Sequence, residues 1–331
     1  MLSEKEIREK LFTIASEADF NTVALAVFRF QLENNSVYGS FVKSLKTDPA
    51  AISHYSAIPF LPIEFFKTRE VVCGAVSPED VVFSSSGTTG QVTSRHYVRD
   101  PDLYRESFLK GFELFYGDVR DYCILALLPS YLERSGSSLV YMFDELIRRS
   151  GHPASGFYLH NRDELIEAIN KQQQGNQKIL LLGVTYALLD LAEEGLSLND
   201  RVIVMETGGM KGRRKEMIKE EVHAILKAQF GIGAIHSEYG MTELLSQAYS
   251  RKDGLFECPP WMRVLVRDAN DPFTYVRPGR GGGINVIDLA NLYSCSFIET
   301  KDLGKLHEQN RFEILGRFDN SDLRGCNLMI A

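Results

Sequence analysis

The sequence predicts an α/β protein: a mostly parallel sheet covered by helices, followed by a smaller β-rich part. Three observations carry that expectation. Short apolar runs at 122–128, 178–183 and 201–205 alternate with helical patterns at 136–149, 185–194 and 211–229, the rhythm of parallel strands joined by crossover helices. From Leu244 onward the pattern changes to short β-like stretches at 262–267, 283–289, 294–300 and 311–316, separated by Gly, Asp and Asn. The 331 residues, 44% of them hydrophobic, can bury a large core, and no Pro/Gly/Ser-rich linker divides them.

Residues 3–17 and 21–34 read as helices, with Ile7, Leu11 and Ile14 falling on one face. The segment Ile58-Pro59-Phe60-Leu61-Pro62-Ile63-Glu64-Phe65-Phe66-Lys67 follows. Two prolines this close exclude a helix interior, so it is expected to cross the body as an extended apolar segment. Its aromatics are core, or the wall of an acyl pocket. Pro101-Asp102 opens a helix running to about Phe115, and Tyr122-Cys123-Ile124-Leu125-Ala126-Leu127-Leu128 is a buried strand stopped by Pro129. The sharpest turn signal is Pro278-Gly279-Arg280-Gly281-Gly282-Gly283. The expected division is therefore an N-terminal helical region over 1–70, an α/β core over 71–243, and a β-rich subdomain over 244–331 ending in a short mobile tail.

Composition excludes several classes of function. A formal charge of −7 argues against sequence-independent nucleic-acid binding, which needs a basic face. The opening residues alternate in charge and lack the apolar centre of a signal peptide, and no apolar run is long enough to span a bilayer. Five cysteines, Cys73, Cys123, Cys258, Cys295 and Cys326, show no CxxC spacing, so neither a disulfide framework nor a zinc site is indicated. A reducing cytoplasm is the expected compartment.

Candidate chemistry centres on Ser84-Ser85-Ser86-Gly87-Thr88-Thr89-Gly90, which follows the apolar run Val81-Val82-Phe83. Two glycines let the backbone approach a ligand closely, and hydroxyl and amide donors converge there, as an anion cradle for phosphate requires. The same composition also makes an ordinary polar loop. It is not a Walker A loop, because the Gly-Lys-Ser/Thr ending is missing. Ligands of parallel sheets collect at the carboxyl ends of strands. Gly183-Val184-Thr185, Glu206-Thr207-Gly208-Gly209 and Ser237-Glu238-Tyr239-Gly240 each fall at or just beyond such an end, which makes them candidates for one site.

Three further segments stand in order downstream. His236-Ser237-Glu238-Tyr239-Gly240-Met241-Thr242-Glu243 offers Thr242 to hydrogen-bond phosphate and Glu243 to hold Mg²⁺, an ion that takes few protein oxygens and completes its shell from water and ligand. Taken alone it reads as a strand end and a helix cap, with Thr242 or Ser246 capping. Glu299-Thr300-Lys301-Asp302-Leu303-Gly304 offers Asp302, whose ionised carboxylate has lone pairs for both hydroxyls of a ribose; it is also good β-turn material. Leu315-Gly316-Arg317-Phe318-Asp319 closes the series.

Ser-Ser-Gly-Thr-Thr-Gly, Tyr-Gly-Met-Thr-Glu, Thr-Lys-Asp-Leu and Gly-Arg-Phe-Asp, in that order, resemble the signatures of the adenylate-forming superfamily, whose members activate a carboxylic acid with ATP to an acyl-adenylate and pyrophosphate. The resemblance implies that superfamily's large-domain fold. It also implies Mg-ATP bound by Ser85, Ser86, Gly87, Thr88, Thr89 and Gly90, with Thr242 on phosphate, Glu243 on the metal, Gly208, Gly209, Tyr239 and Gly240 around the adenine, Asp302 on the ribose, and Arg317 at the hinge position. Two departures stand out. Gln91-Val92-Thr93-Ser94-Arg95 replaces the usual lysine after the loop, so Arg95 is expected to supply that charge, and the chain stops at Ala331, without the small C-terminal domain and its lysine.

The proline-aromatic segment at 58–67, the stretch Leu128-Pro129-Ser130-Tyr131-Leu132-Glu133-Arg134-Ser135-Gly136-Ser137-Ser138-Leu139, and Gly316-Arg317 through Leu323-Arg324-Gly325-Cys326 resemble one subgroup, the LuxE-type acyl-protein synthetases. That family implies ATP-dependent activation of a long-chain fatty acid, transfer of the acyl group to a cysteine near the C-terminus, and delivery to a protein partner such as an acyl reductase or an acyltransferase. Cys326 fits the acceptor role, with Arg324 nearby to favour its thiolate. Two alternatives stay open: release to coenzyme A or an acyl carrier, and a non-catalytic subunit that binds nucleotide or acyl chains.

Overall fold

The computed structural model describes residues 2–85, 92–129, 136–208 and 217–318. Contacts divide the chain into two compact units: Met1–Ser107 with Thr242–Ser246 and Cys258–Ala331, and Phe108–Met241 with Gln247–Glu257. This grouping differs from the three-part division expected at 70 and 243. The N-terminal helices and the C-terminal strands belong to one body because polar side chains on the former satisfy the backbone of the latter.

The second unit holds the parallel sheet. Its strands run in the order Gly156–Phe157, Tyr122–Leu127, Lys178–Val184, Val202–Thr207, His236–Tyr239 and Ala248–Ser250, all parallel neighbours except the last pair, which is antiparallel. Tyr122–Leu127 is buried along its whole length, as a central strand covered on both faces must be, and this explains its continuous apolar run. Helices Ser138–Ser150, Arg162–Gln172, Thr185–Ala192 and Lys219–Phe230 connect or follow these strands. The last of them was expected from 211; residues 209–216 lie outside the described set.

The first unit combines three helices with two sheets. Ser3 and Glu6 form a reciprocal capping box at Glu4–Leu11, and Ser16 caps Glu17–Asn34. A third helix, Ser36–Ser44, was not expected; Asn35 ends one helix and caps the next, so the polar pair Asn34-Asn35 carries the break. The segment at 58–67 does cross in extended form: Leu61–Pro62 pairs parallel with Phe297–Leu306 before a short helix, Phe65–Thr68. The larger sheet is otherwise antiparallel, with Met262–Arg267, Gly281–Asp288 and Phe297–Leu306 in sequence and Phe312–Arg317 beside the second half of Phe297–Leu306. A smaller ladder pairs Val81–Ser84 with Arg95–Val98.

Two details of this unit position its polar groups. Gln31, fully buried in its helix, donates through Nε2 to the carbonyls of Asn291 and Leu292, both at 2.9 Å, and accepts from the Ser296 backbone at 3.0 Å, while Asn35 one turn on donates to the Ser294 carbonyl. An apolar side chain at Gln31 would leave those groups unpaired in the core. Within the run Gly281-Gly282-Gly283, the second and third glycines have a steric cause. A Cβ on Gly282 would lie 2.1 Å from the Arg267 carbonyl oxygen, and one on Gly283 would lie 2.5 Å from the carbon of the Arg267 guanidinium. That guanidinium is buried and donates to Ile284 O, Asn285 Oδ1 and Thr300 O. Among the described residues, no helix is long and apolar enough to cross a membrane.

Candidate functional site

The ladder formed by Val81–Ser84 and Arg95–Val98 leads into and out of the Gly/Thr-rich stretch. Just beyond it, the Ser85 backbone N–H donates to the Ser94 carbonyl at 3.1 Å, and the Ser94 N–H donates to Ser85 Oγ at 2.9 Å. Ser85 is thus half-buried at the mouth of that stretch. Ser86, Gly87, Thr88, Thr89, Gly90, Gly209 and Cys326 lie outside the described residues.

Glu243 is 5% exposed, and the Ser94 hydroxyl donates to its carboxylate. Burial raises its pKa above the usual carboxylate value, and the neighbouring Asp302 charge adds to that; the Ser94 bond, its own backbone N–H and the Arg317 guanidinium act in the opposite sense. Asp302, also buried, forms an ion pair with Arg317, whose Nε lies 3.1 Å from Oδ1, across the ladder in which the two residues face each other. Glu243, Asp302 and Arg317 therefore form one electrostatic group in the first unit. Asp302 sits inside a ten-residue strand, not in the β-turn its Asp-Leu-Gly sequence suggests. Gly304 is needed there because a Cβ would lie 2.4 Å from Ile284 Cδ1 and 2.6 Å from the Glu313 carbonyl. Arg95 is exposed, its guanidinium 5.8 Å from the Tyr97 ring centre, and no contact joins it to this group.

The turn that carries Thr242 and Glu243 is tied down on all sides, and no helix begins there, so the capping alternative for Thr242 and Ser246 does not hold. His96 Nδ1 lies 2.8 Å from the Thr242 carbonyl. Asn291 Nδ2 donates to the Glu243 carbonyl at 2.7 Å, and Asp288 accepts from the backbones of Leu245 and Ser246 at 2.7 and 2.9 Å and from Ser246 Oγ at 2.5 Å. Burial pushes the Asp288 carboxyl up to about 6 against those hydrogen bonds. His96, Asn291, Ser94 and Asp288 were not legible as functional positions in the sequence. The one available signal was the period-two spacing of Ser94 and His96, which places both on the same face of their extended segment.

In the second unit a buried polar group occupies the carboxyl ends of the parallel strands. Glu206 accepts from Thr185 Oγ1 at 3.0 Å and pairs with Lys219, and His223 Nε2 lies 3.6 Å from it. Burial opposes the Glu206 charge, yet Lys219 and the surrounding donors win and hold its carboxyl well below the ordinary value. Glu238 is different. Thr207 Oγ1 donates to it at 2.6 Å, but burial, with Glu206 nearby, pushes its pKa up to about 7. Gly240 accommodates this carboxylate: a Cβ there would lie 2.4 Å from Glu238 Oε1. Tyr239 is buried with its ring 5.9 Å from Phe256, and Gly208 has φ +77°, a left-handed conformation suited to glycine. His236 is half-buried and hydrogen-bonded to Tyr116 at 3.2 Å. The chain passes from this unit to the first between Met241 and Thr242, so the Tyr-Gly-Met-Thr-Glu motif contributes to both.

Among the described residues, no group of three or more His, Cys, Asp or Glu side chains is placed to hold a metal ion. The single carboxylate of Glu243 with neighbouring hydroxyl oxygens fits a hard cation that draws its remaining ligands from phosphate and water. The cysteines in the described residues are free: burial raises Cys73 and Cys258 to about 12 and Cys123 to about 11, and raises Cys295 as well.

No family model and no curated protein sequence matches the chain. Solved structures do. The chain is similar to ATP-bound MatB from Rhodopseudomonas palustris, with 18% identity and TM-score 0.52 over 71% of this chain and 47% of that one. It is similar to 2-hydroxyisobutyryl-CoA ligase in complex with 2-HIB-AMP in the postadenylation state, with 13% identity and TM-score 0.67 over 96% of this chain and 72% of that one. A luciferase-like enzyme from the nonluminescent mealworm Zophobas morio gives 14% identity and TM-score 0.53 over 83% and 62%. The chain spans about half the length of MatB. At these identities the likeness concerns the fold: the chain has the large-domain architecture of the adenylate-forming enzymes.

Proposed function

We propose that this chain activates a carboxylic acid, a long-chain fatty acid, by forming an acyl-adenylate from ATP, and passes the acyl group to Cys326. The observation that carries this reading is the Glu243 group: a buried carboxylate held by Ser94, just beyond the Ser/Gly/Thr-rich stretch, with Asp302 and Arg317 in its electrostatic field. A fold shared with enzymes solved with ATP or an acyl-AMP supports it.

In this reading Glu243 holds Mg²⁺, which neutralises charge on the phosphate oxygens when bound. Thr88, Thr89 and Thr242 donate to phosphate, Asp302 accepts from the ribose hydroxyls, and Tyr239, Gly208 and Gly209 border the adenine. The substrate carboxylate attacks the α-phosphorus and pyrophosphate leaves. The chain's contribution is position and fixed donors, which help most where charge develops. The Cys326 thiolate then attacks the acyl carbonyl; the C–S bond forms as the bond to AMP breaks, and the thiol proton has gone to solvent. Burial favours the thiol form of Cys73, Cys123 and Cys295, which supports Cys326 over them as the acceptor. A protein partner, an acyl reductase or acyltransferase, would collect the acyl group. A second reading, release to an external thiol such as coenzyme A, is favoured by the likeness to a ligase solved with CoA.

The test is intact-mass analysis after incubation with Mg-ATP and a pool of fatty acids. The expected result is a hydroxylamine-labile acyl adduct that disappears in Cys326→Ser. Pyrophosphate release without an adduct would transfer support to the external thiol. Absence of both the adduct and pyrophosphate release would discard acid activation in favour of a non-catalytic subunit.

A further inference from the structure

We propose that His96 and Asn291 form a positioning clamp that fixes the Thr242–Glu243 backbone, and with it the direction of the Glu243 carboxylate. The proposal rests on the reading of Glu243 given above. His96 is fully buried, its ring edge-on to Phe66 at 5.6 Å between centres. Its Nδ1 meets the Thr242 carbonyl at 2.8 Å, a contact that requires the proton on that nitrogen because a carbonyl only accepts. Its Nε2 lies 3.0 Å from Asn291 Oδ1, a contact that is a hydrogen bond only when the ring carries both protons; in the neutral ring the Nδ1 proton goes to the Thr242 carbonyl and the two side chains only touch here. The Asn291 amide cannot be reversed, since its Nδ2 already donates to two carbonyls, Glu243 at 2.7 Å and Cys295 at 2.9 Å. Two adjacent carbonyls of the motif, those of Thr242 and Glu243, are thereby held by two side chains that also touch each other.

Each member of the clamp is itself supported. Asn291 lies in the buried connection between two strands of the larger sheet, and Gln31 pins that connection by donating to the Asn291 and Leu292 carbonyls and accepting from the Ser296 backbone. His96 follows Ser94 by two residues, so one extended segment sends Ser94 to the Glu243 carboxylate and His96 to the Thr242 carbonyl. A rotation of the Thr242–Glu243 peptide groups would break both carbonyl bonds at once and leave buried acceptors without donors. Asp288 holds only the following turn, at Leu245 and Ser246, so it does not duplicate the clamp. Neither His96 nor Asn291 reaches a reacting atom in this scheme; both act through Glu243.

The experiment compares the full chain with His96→Leu, Asn291→Leu and His96→Asn, the last keeping an N–H for the Thr242 carbonyl. Two readouts are used: amide hydrogen exchange across 242–246, and ATP affinity by calorimetry with Mg²⁺ or with EDTA. The leucine variants are expected to exchange faster across 242–246 and to lose about tenfold of the Mg²⁺-dependent gain in ATP affinity. His96→Asn is expected to restore most of both, an outcome that a general loss of packing would not produce. Unchanged exchange and an unchanged Mg²⁺ gain in folded leucine variants would overturn the clamp, as would failure of His96→Asn to restore either. Absence of Mg²⁺-dependent ATP binding in the parent chain would instead overturn the functional reading, and the clamp's purpose with it.

Discussion

Glu238 makes the stability of this chain depend on pH in a direction that can be worked out. Its carboxyl goes from an ordinary value of 4.5 to about 7 in the folded chain, chiefly through burial and then through the charge of Glu206, against the Thr207 hydrogen bond and Lys219. The folded state therefore binds the proton more tightly than the unfolded state between those two values. Stability from this group is fully present below 4.5 and is lost as pH rises through about 7. A shift of about 2.5 units at 1.36 kcal/mol per unit corresponds to about 3 kcal/mol. His96 and His236, both lowered by burial to about 4, act in the opposite sense over the acidic part of the same range, so a single pH profile would blend the effects. The clean quantity is the difference between the parent chain and Glu238→Gln, which keeps the side-chain shape and an oxygen for Thr207 but carries no charge. Urea unfolding followed by far-UV circular dichroism at pH 5, 6, 7 and 8 measures it. The glutamine variant is expected to exceed the parent by no more than about 1 kcal/mol at pH 5 and increasingly toward pH 8, by an amount approaching about 3 kcal/mol. Parallel pH profiles would refute the reasoning, because they would mean that no proton is taken up by Glu238 on folding.

Two further outcomes follow from the geometry. Gly282→Ala places a methyl group 2.1 Å from the Arg267 carbonyl oxygen, where only backbone movement gives relief, and is expected to cost about 3 kcal/mol, read as a thermal midpoint lower by several degrees; an unchanged midpoint would remove the steric explanation of Gly282. Glu243→Gln keeps the shape of the carboxylate and removes its charge, so acyl-adenylate formation measured by pyrophosphate release is expected to fall about a hundredfold, and an unchanged rate would discard Glu243 as the metal ligand.

The sequence alone determined the parallel sheet of the second unit, because a strand covered on both faces must be apolar throughout, as Tyr122–Leu127 is. It also singled out Glu243 and Asp302, which the fold buries in one electrostatic group, through short motifs whose order carries information that composition does not. What it could not specify were contacts between residues far apart in the chain. Asp-Leu-Gly reads locally as a turn, yet Asp302 lies mid-strand, because pairing with Gly281–Asp288 and Phe312–Arg317 outweighs a local preference. Nor does any periodicity mark His96 and Asn291 as partners of Thr242 and Glu243, since those bonds span separations of 146 and 48 residues. The environment of Glu238 is likewise a product of folding: its proton affinity depends on Thr207, Glu206 and Lys219, which meet it only when parallel strands bring their carboxyl ends together. Motif order is written along the chain, whereas burial and the field around a charge exist only once the chain has folded.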